Sequence, residues 1–194
     1  GCSIMPVIGS PGGELALASR GEEGGEVGGR FTTAMYSFDN PNNITAVLVD
    51  GEVDSPRMVV TVRMLWRPRA GRTPIDPAAT NATVRYIIFA DGEQVGVYGG
   101  AGYLFPSRVP GGDGLSASIW HADLRLTDRT TGFADLLGPA LLQGRFTVRR
   151  DDDGVAATIR AIDQALLDRL DYPALATPPP PTPATHTWAA HEPQ

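Results

Sequence analysis

The sequence predicts a mainly β protein: an antiparallel β-sandwich, Ig-like or similar, with one short C-terminal helix and flexible tails. Three observations carry this expectation. From Met58 to Trp66 the residues Met58, Val60, Val62, Met64 and Trp66 alternate with Val59, Thr61, Arg63 and Leu65, which is the period-two signature of a half-buried strand. Turn formers are in excess, with Gly 23 and Pro 17 among 194 residues, as a fold of many short strands requires. About seven segments have strand character, and that number of short strands around one core suggests two packed sheets.

Taken in order, residues 1–29 form a tether, 30–175 the β-sandwich domain and 176–194 a proline-rich tail. The tether is broken by Pro6, Pro11, Gly12, Gly13, Gly24, Gly25, Gly28 and Gly29 and buries too little apolar surface to offset its ordering entropy. Its apolar island, Leu15 to Ala18, either docks on the domain or adds an edge strand. Strands are expected over Arg30–Phe38, Ile44–Val49, Met58–Trp66, Thr83–Ala90 and Leu115–Leu126. Asp91-Gly92 between Thr83–Ala90 and Glu93–Tyr98 predicts a hairpin, because type I′ turns need positive φ at both central residues. Arg145–Arg150 and Val155–Ala161, joined by Asp151-Asp152-Asp153-Gly154, predict a second hairpin. Phe133–Leu137 and Ala140–Gln143 read as short helical pieces of a sheet-to-sheet crossover, interrupted by Gly138-Pro139. Ile162, Leu166 and Leu170 recur every fourth residue and make an apolar helical stripe ending before Pro173. Pro178 to Pro181 favour polyproline II, a stiff spacer.

Composition excludes some functions. Net charge is -6, and all 16 basic residues are arginine. An acidic chain without a basic face does not neutralise the row of phosphates that supplies most nucleic-acid affinity, so nucleic acid is not an expected partner. Arginine without lysine, alongside abundant Ala, Gly and Asp, reflects a GC-rich coding bias and points to a bacterium. No stretch reaches the ~20 apolar residues that span a bilayer as a helix.

Candidate chemistry is sparse. His121 and Asp123 lie two apart on an expected strand and share a face, but Ser116 and Ser118 lie at odd separations from His121, on the opposite face unless a bulge intervenes. Asp50, Glu52 and Asp54, or Asp151, Asp152 and Asp153, offer oxygens to calcium without the EF-hand pattern, and Asp also serves turns. Gly96, Gly99, Gly100 and Gly102 miss the GxGxxG spacing, since Phe105 stands where the last glycine belongs, and mark a bulge or close strand crossing. Arg63, Arg67, Arg69 and Arg72 concentrate positive charge on one strand and the loop after it, a binding patch for an anionic glycan, lipid headgroups or an acidic partner. Trp66, Trp120 and Tyr103 are core aromatics or the lining of a ligand pocket. Asn43-Ile44-Thr45 and Asn81-Ala82-Thr83 match the N-glycosylation pattern, a chance match in a bacterial chain. No cofactor, metal site or catalytic residue is assigned.

Cys2 is the single cysteine and has no partner for a disulfide or a metal site. Gly1-Cys2-Ser3 resembles the processing junction of bacterial lipoproteins, in which a signal peptide is removed after a small residue and the cysteine carries lipid. The resemblance implies lipidation at Cys2, a place in the bacterial cell envelope and, through Ser3, sorting to the outer membrane. Several acyl chains on one cysteine hold firmly, since each buried methylene adds about 0.8 kcal/mol. The expected function is therefore that of a lipid-anchored cell-envelope protein with a non-enzymatic structural or binding domain, its partners the membrane through Cys2 and an envelope protein or glycan. A secreted hydrolase or carbohydrate-active domain using His121, Asp123 and one of the turn acids, or a ligand-binding domain, is the alternative.

Overall fold

The computed structural model describes residues 10–21, 24–68, 80–91 and 93–170. Nine strands and one helix follow one another: β1 (Gly12–Ser19), β2 (Glu26–Phe31), β3 (Thr33–Asn40), β4 (Asn43–Glu52), β5 (Ser55–Met64), β6 (Ala82–Phe89), β7 (Val95–Pro106), β8 (Gly114–Arg129), β9 (Ala140–Arg150) and α1 (Asp152–Leu170). From β3 to β9 each strand pairs with the next, and β9 also meets β3, in parallel, at Met35↔Arg149 and Tyr36↔Arg150. The sheet thereby closes into a seven-stranded barrel. This corrects the expected sandwich: there is one continuous sheet curled on itself. The hairpin β1–β2 extends the wall, with β1 paired to β9 over Gly12↔Thr147 to Ser19↔Ala140.

Closure follows from two features of the longest strands. β8 runs 16 residues and shifts register between Ile119 and Ala122, where His121 has φ 49°; such a bulge bends a strand and raises its twist. Opposite it, Gly100 and Gly102 of β7 face inward, and a β-carbon on either would collide with Asp123 or Ala122 of β8. The expected close crossing at these glycines is therefore present, and it lets β7 and β8 curve tightly together. Alternation then divides every strand between two environments. Ile44, Ala46 and Leu48 of β4, Val60, Val62 and Met64 of β5, and Val84 and Tyr86 of β6 fill the interior with Leu15, Leu17, Tyr36, Leu104, Leu124, Phe146 and Val148. A barrel this small is packed by its own side chains.

The same alternation sends Val47, Val49, Val59, Ile87, Val95 and Val97 outward, where α1 covers them with Val155, Ile162 and Leu166. Burying each such side chain contributes about 1.5–3 kcal/mol. The second expected hairpin is thus replaced by this helix, which starts ten residues earlier than the stripe at Ile162 announces. The reason lies in the acidic run: the Asp151 carboxylate accepts from the Gly154 amide at 2.8 Å, the geometry of a helix N-cap, and Asp152 and Asp153 occupy the favourable first turn. Asp152 also accepts from the Phe38 amide at 2.7 Å and from Arg150 Nε at 3.0 Å. These bonds hold its carboxyl below the ordinary range. Of the acids that could offer oxygens to calcium, Asp151 serves as a helix cap and Asp152 as a clip to β3 and Arg150.

Three further expectations are decided by the strands. Residues 140–143 are strand, the start of β9, and 133–138 form an irregular turn, so there is no helical crossover. Leu15 and Leu17 are fully buried within β1: of the two options for this island, the strand is the one adopted, and the barrel wall takes in much of what was read as tether. The β6–β7 hairpin forms, but not through a type I′ turn centred on Asp91-Gly92: the Ala90 amide donates to the Gln94 carbonyl at 2.8 Å, and it is Glu93, at φ 66°, and not Asp91 that has positive φ. Cys2 and the tail 176–194 lie outside the described residues.

Candidate functional site

The bulge that bends β8 also borders a concavity on the described surface. Ile119 and Ala122 both point inward, so the two residues between them, Trp120 and His121, both point out. Trp120 stands 58% exposed on the wall, an unusual place for the largest apolar side chain. Beside it the outward rows of β9, β1 and β2 are in register: Gln143↔Ala16↔Gly28, and Arg145↔Glu14↔Arg30, the latter continuing to Ser118 of β8. The result is a shallow groove of roughly 800 Å³, with Trp120 and His121 at one side, a floor of Ala16, Gly28, Gly29 and Gly144, and a rim of Glu14, Arg30, Gln143 and Arg145.

The floor is low because the outward residues Ala16 and Gly28 carry little or no side chain, while Gly29 and Gly144 lie in the inward row of Leu15 and Ile119. Gly144 has φ 148°, a conformation strained for any L side chain, and a β-carbon there would run into the Glu14 carbonyl. Arg30 and Glu14 approach only to 3.8 Å with both side chains 83% exposed, a surface pair of little energetic weight. Rim donors and acceptors therefore remain available to a ligand at small cost.

Trp120 also ends a row of aromatic rings along one end of the wall. Trp66 meets Tyr103 edge-on at 6.5 Å, Tyr103 stacks on Phe105 at 5.6 Å, and Phe105 meets Trp120 edge-on at 5.9 Å. All three aromatics singled out in the sequence thus belong to one row, completed by Phe105, which the sequence reading left out. They lie outside the barrel core. Trp66 is fixed by its Nε1 donating to the Thr80 carbonyl at 3.2 Å. Asn81 beneath it is fully buried and clamps β7, donating to the carbonyls of Trp66 and Leu104 and accepting from the Leu104 amide. Its glycosylation motif is consequently inaccessible in the folded chain.

The other candidates separate. The bulge does place Ser116, Ser118, His121 and Asp123 on the same outer wall, but the Asp123 carboxylate binds Arg20 at 2.5 Å and Ser116 is hydrogen-bonded to Thr147 at 2.9 Å. Among the described residues no nucleophile, base and orienting acid are joined by hydrogen bonds, the arrangement nucleophilic catalysis requires. Asp50 is nearly buried and paired with Arg57 at 2.5 Å. Arg63 projects from the outer face of β5, the Arg67 amide bonds Asn42 in the following loop, and Arg69 and Arg72 lie outside the described residues.

One end of the barrel is stoppered by the turn after β8. Phe133 and Leu137 insert into the core, and Asp135 receives the Tyr98 hydroxyl at 2.7 Å together with the amides of Leu137 and Gly138. Burial pushes the Tyr98 hydroxyl well above its ordinary value, and its bond to Asp135 adds to this. Partial burial raises Asp135, but the bonds from Tyr98, Gly138 and Leu137 outweigh it and hold the carboxyl below its ordinary value. The stopper's polar groups are satisfied by one another, and its apolar residues close this end of the barrel. No protein family, no curated protein and no solved structure matches this chain.

Proposed function

We propose that this chain is a lipid-anchored, non-enzymatic binding protein of the bacterial envelope, attached through Cys2 and binding a saccharide in the groove under Trp120. The observation that carries the reading is the exposed indole set over a floor of small residues and flanked by Glu14, Arg30, Gln143 and Arg145. An aromatic platform accepts the apolar face of a sugar ring, while amide, carboxylate and guanidinium groups around it exchange hydrogen bonds with the hydroxyls. The filled interior supports a ligand on the outside of the barrel. The anchor rests on Gly1-Cys2-Ser3 alone, upstream of β1.

Two experiments test the two halves. Isothermal titration of the full chain against a panel of neutral and charged oligosaccharides should give binding that Trp120→Ala abolishes; binding unchanged in that variant removes the groove from the account. Intact mass spectrometry of protein purified from its native host should show a lipid-modified Cys2, and an unmodified cysteine there removes the anchor.

A further inference from the structure

Four arginines of the described residues have carboxylate partners: Arg20, Arg30, Arg57 and Arg150. Arg63, Arg85 and Arg125 have none among the described residues, and strand register brings these three together. Thr61↔Arg85↔Gly99↔Arg125 form one row across β5, β6, β7 and β8, and Arg63↔Thr83↔Ala101↔Asp123 form the next. Arg85 and Arg125 are thus two strands apart, about 9.6 Å, across Gly99, and Arg63 is the diagonal neighbour of Arg85. Asp123, the acid of these two rows, is already taken by Arg20, so it brings a further cation to the edge of the cluster. On one side the rows are bounded by the apolar strip under α1, Val59, Ile87 and Val97. On the other they run up to the aromatic row at Tyr103 and Trp120.

We propose that Arg63, Arg85 and Arg125 form a second subsite, on the outer face of β5–β8, for the carboxylate groups of an anionic polysaccharide whose chain continues along the aromatic row into the groove under Trp120. This rests on the saccharide reading of that groove and adds the charge of the ligand. Guanidinium groups are planar, weakly hydrated and matched to bidentate contact with carboxylates. Keeping three of them unpaired on one small patch of an acidic protein costs mutual repulsion, which an anion relieves. Charge complementarity favours a single chain over a lipid surface: a bilayer meets the field of the whole protein, net -6, whereas a polymer strand meets the local patch.

The test uses the full chain and oligogalacturonates, with their methyl esters as probes that keep the sugar shape and lose the charge. The acid form should bind at least about tenfold tighter than the ester, the scale of a lost close charge pair. That preference should fade between about 0.1 M and 1 M salt as the Debye length falls from about 10 Å to about 3 Å. The double variant Arg85→Gln, Arg125→Gln removes outward-facing side chains; it should keep the wild-type thermal midpoint and bind acid and ester alike. Equal binding of acid and ester by the wild type, lost in Trp120→Ala, overturns the arginine subsite and leaves the groove standing. Failure of both probes to bind overturns the subsite, while the neutral panel decides the groove separately. Binding of phosphatidylglycerol vesicles in place of the oligogalacturonate overturns it in favour of a lipid surface.

Discussion

The barrel has two outer walls made by the same alternation rule, and they have opposite fates. On the part of β4 to β7 that faces α1 the outward residues are Val47, Val49, Val59, Ile87, Val95 and Val97, and the helix covers them. On the side of β8, β9, β1 and β2 they are Ser118, Arg145, Glu14, Arg30, Gln143, Ala16 and Gly28, and no described element covers them. The first wall needs its helix, because bare valines on that scale are an aggregation surface. The second is mostly polar or small, and Trp120, 58% exposed on it, keeps only an edge contact with Phe105. The proposed saccharide contact rests on that exposed indole.

Substitutions can break this contrast, and the largest effect should come from the covered wall. Ile162→Ala opens a cavity under α1 and should cost about 2–5 kcal/mol in urea unfolding; a loss below 1 kcal/mol would mean the helix is not packed there. Gly144→Val, in the strand behind the open wall, forces a side chain into a positive-φ site against the Glu14 carbonyl and Leu15 and should cost about 1–3 kcal/mol, read by urea unfolding. Asp151→Ala removes the N-cap of α1 and should cost about 1 kcal/mol, read by thermal unfolding. For the stopper between the walls, the Asp135 carboxyl is held below its unfolded value of 3.8. Its contribution is therefore present above that pH and is lost as pH falls through the lower folded value. Asp135→Asn should be less stable at neutral pH and show a flatter stability curve below about pH 4, measured by denaturation across an acid series. Smallest of all, Trp120→Ala should change stability by no more than about 0.5 kcal/mol while removing ligand binding.

Strand positions were legible in the sequence because period two is a local property: Met58–Trp66, Thr83–Ala90, Leu115–Leu126 and Arg145–Arg150 all fall on strands. Closure was not legible. Whether seven strands make two sheets or one barrel depends on how tightly β7 and β8 curl, and that turns on a one-residue bulge at His121 facing Gly100 and Gly102. The same bulge overturned the parity argument for Ser116 and Ser118, as an extra residue always does to period-two counting. Asp151–Gly154 was ambiguous for another reason: a run of aspartates before glycine serves a turn and a helix cap equally, and Val155–Ala161 contains β-branched residues that suit either. Its resolution needed the valines of β4 to β7, distant in sequence, which reward a helix and not another strand. Trp66, Tyr103 and Trp120 were legible as aromatics with two uses; that they form one row through Phe105 depends on the β7–β8 register. Arg85 and Arg125 escaped notice because they lie on different strands, whereas Arg63, Arg67, Arg69 and Arg72 cluster along the chain.

The most direct measurement of the central claim uses Trp120 as its own reporter. With Trp66→Phe and Trp188→Phe, Trp120 is the single tryptophan of the chain, and its emission should begin red-shifted, as a solvent-exposed indole, and move to the blue with a saturable titration on adding the oligosaccharide selected by the binding panel. An emission maximum already blue-shifted in the free protein, or one that stays in place at ligand concentrations that saturate calorimetric binding, would contradict the account.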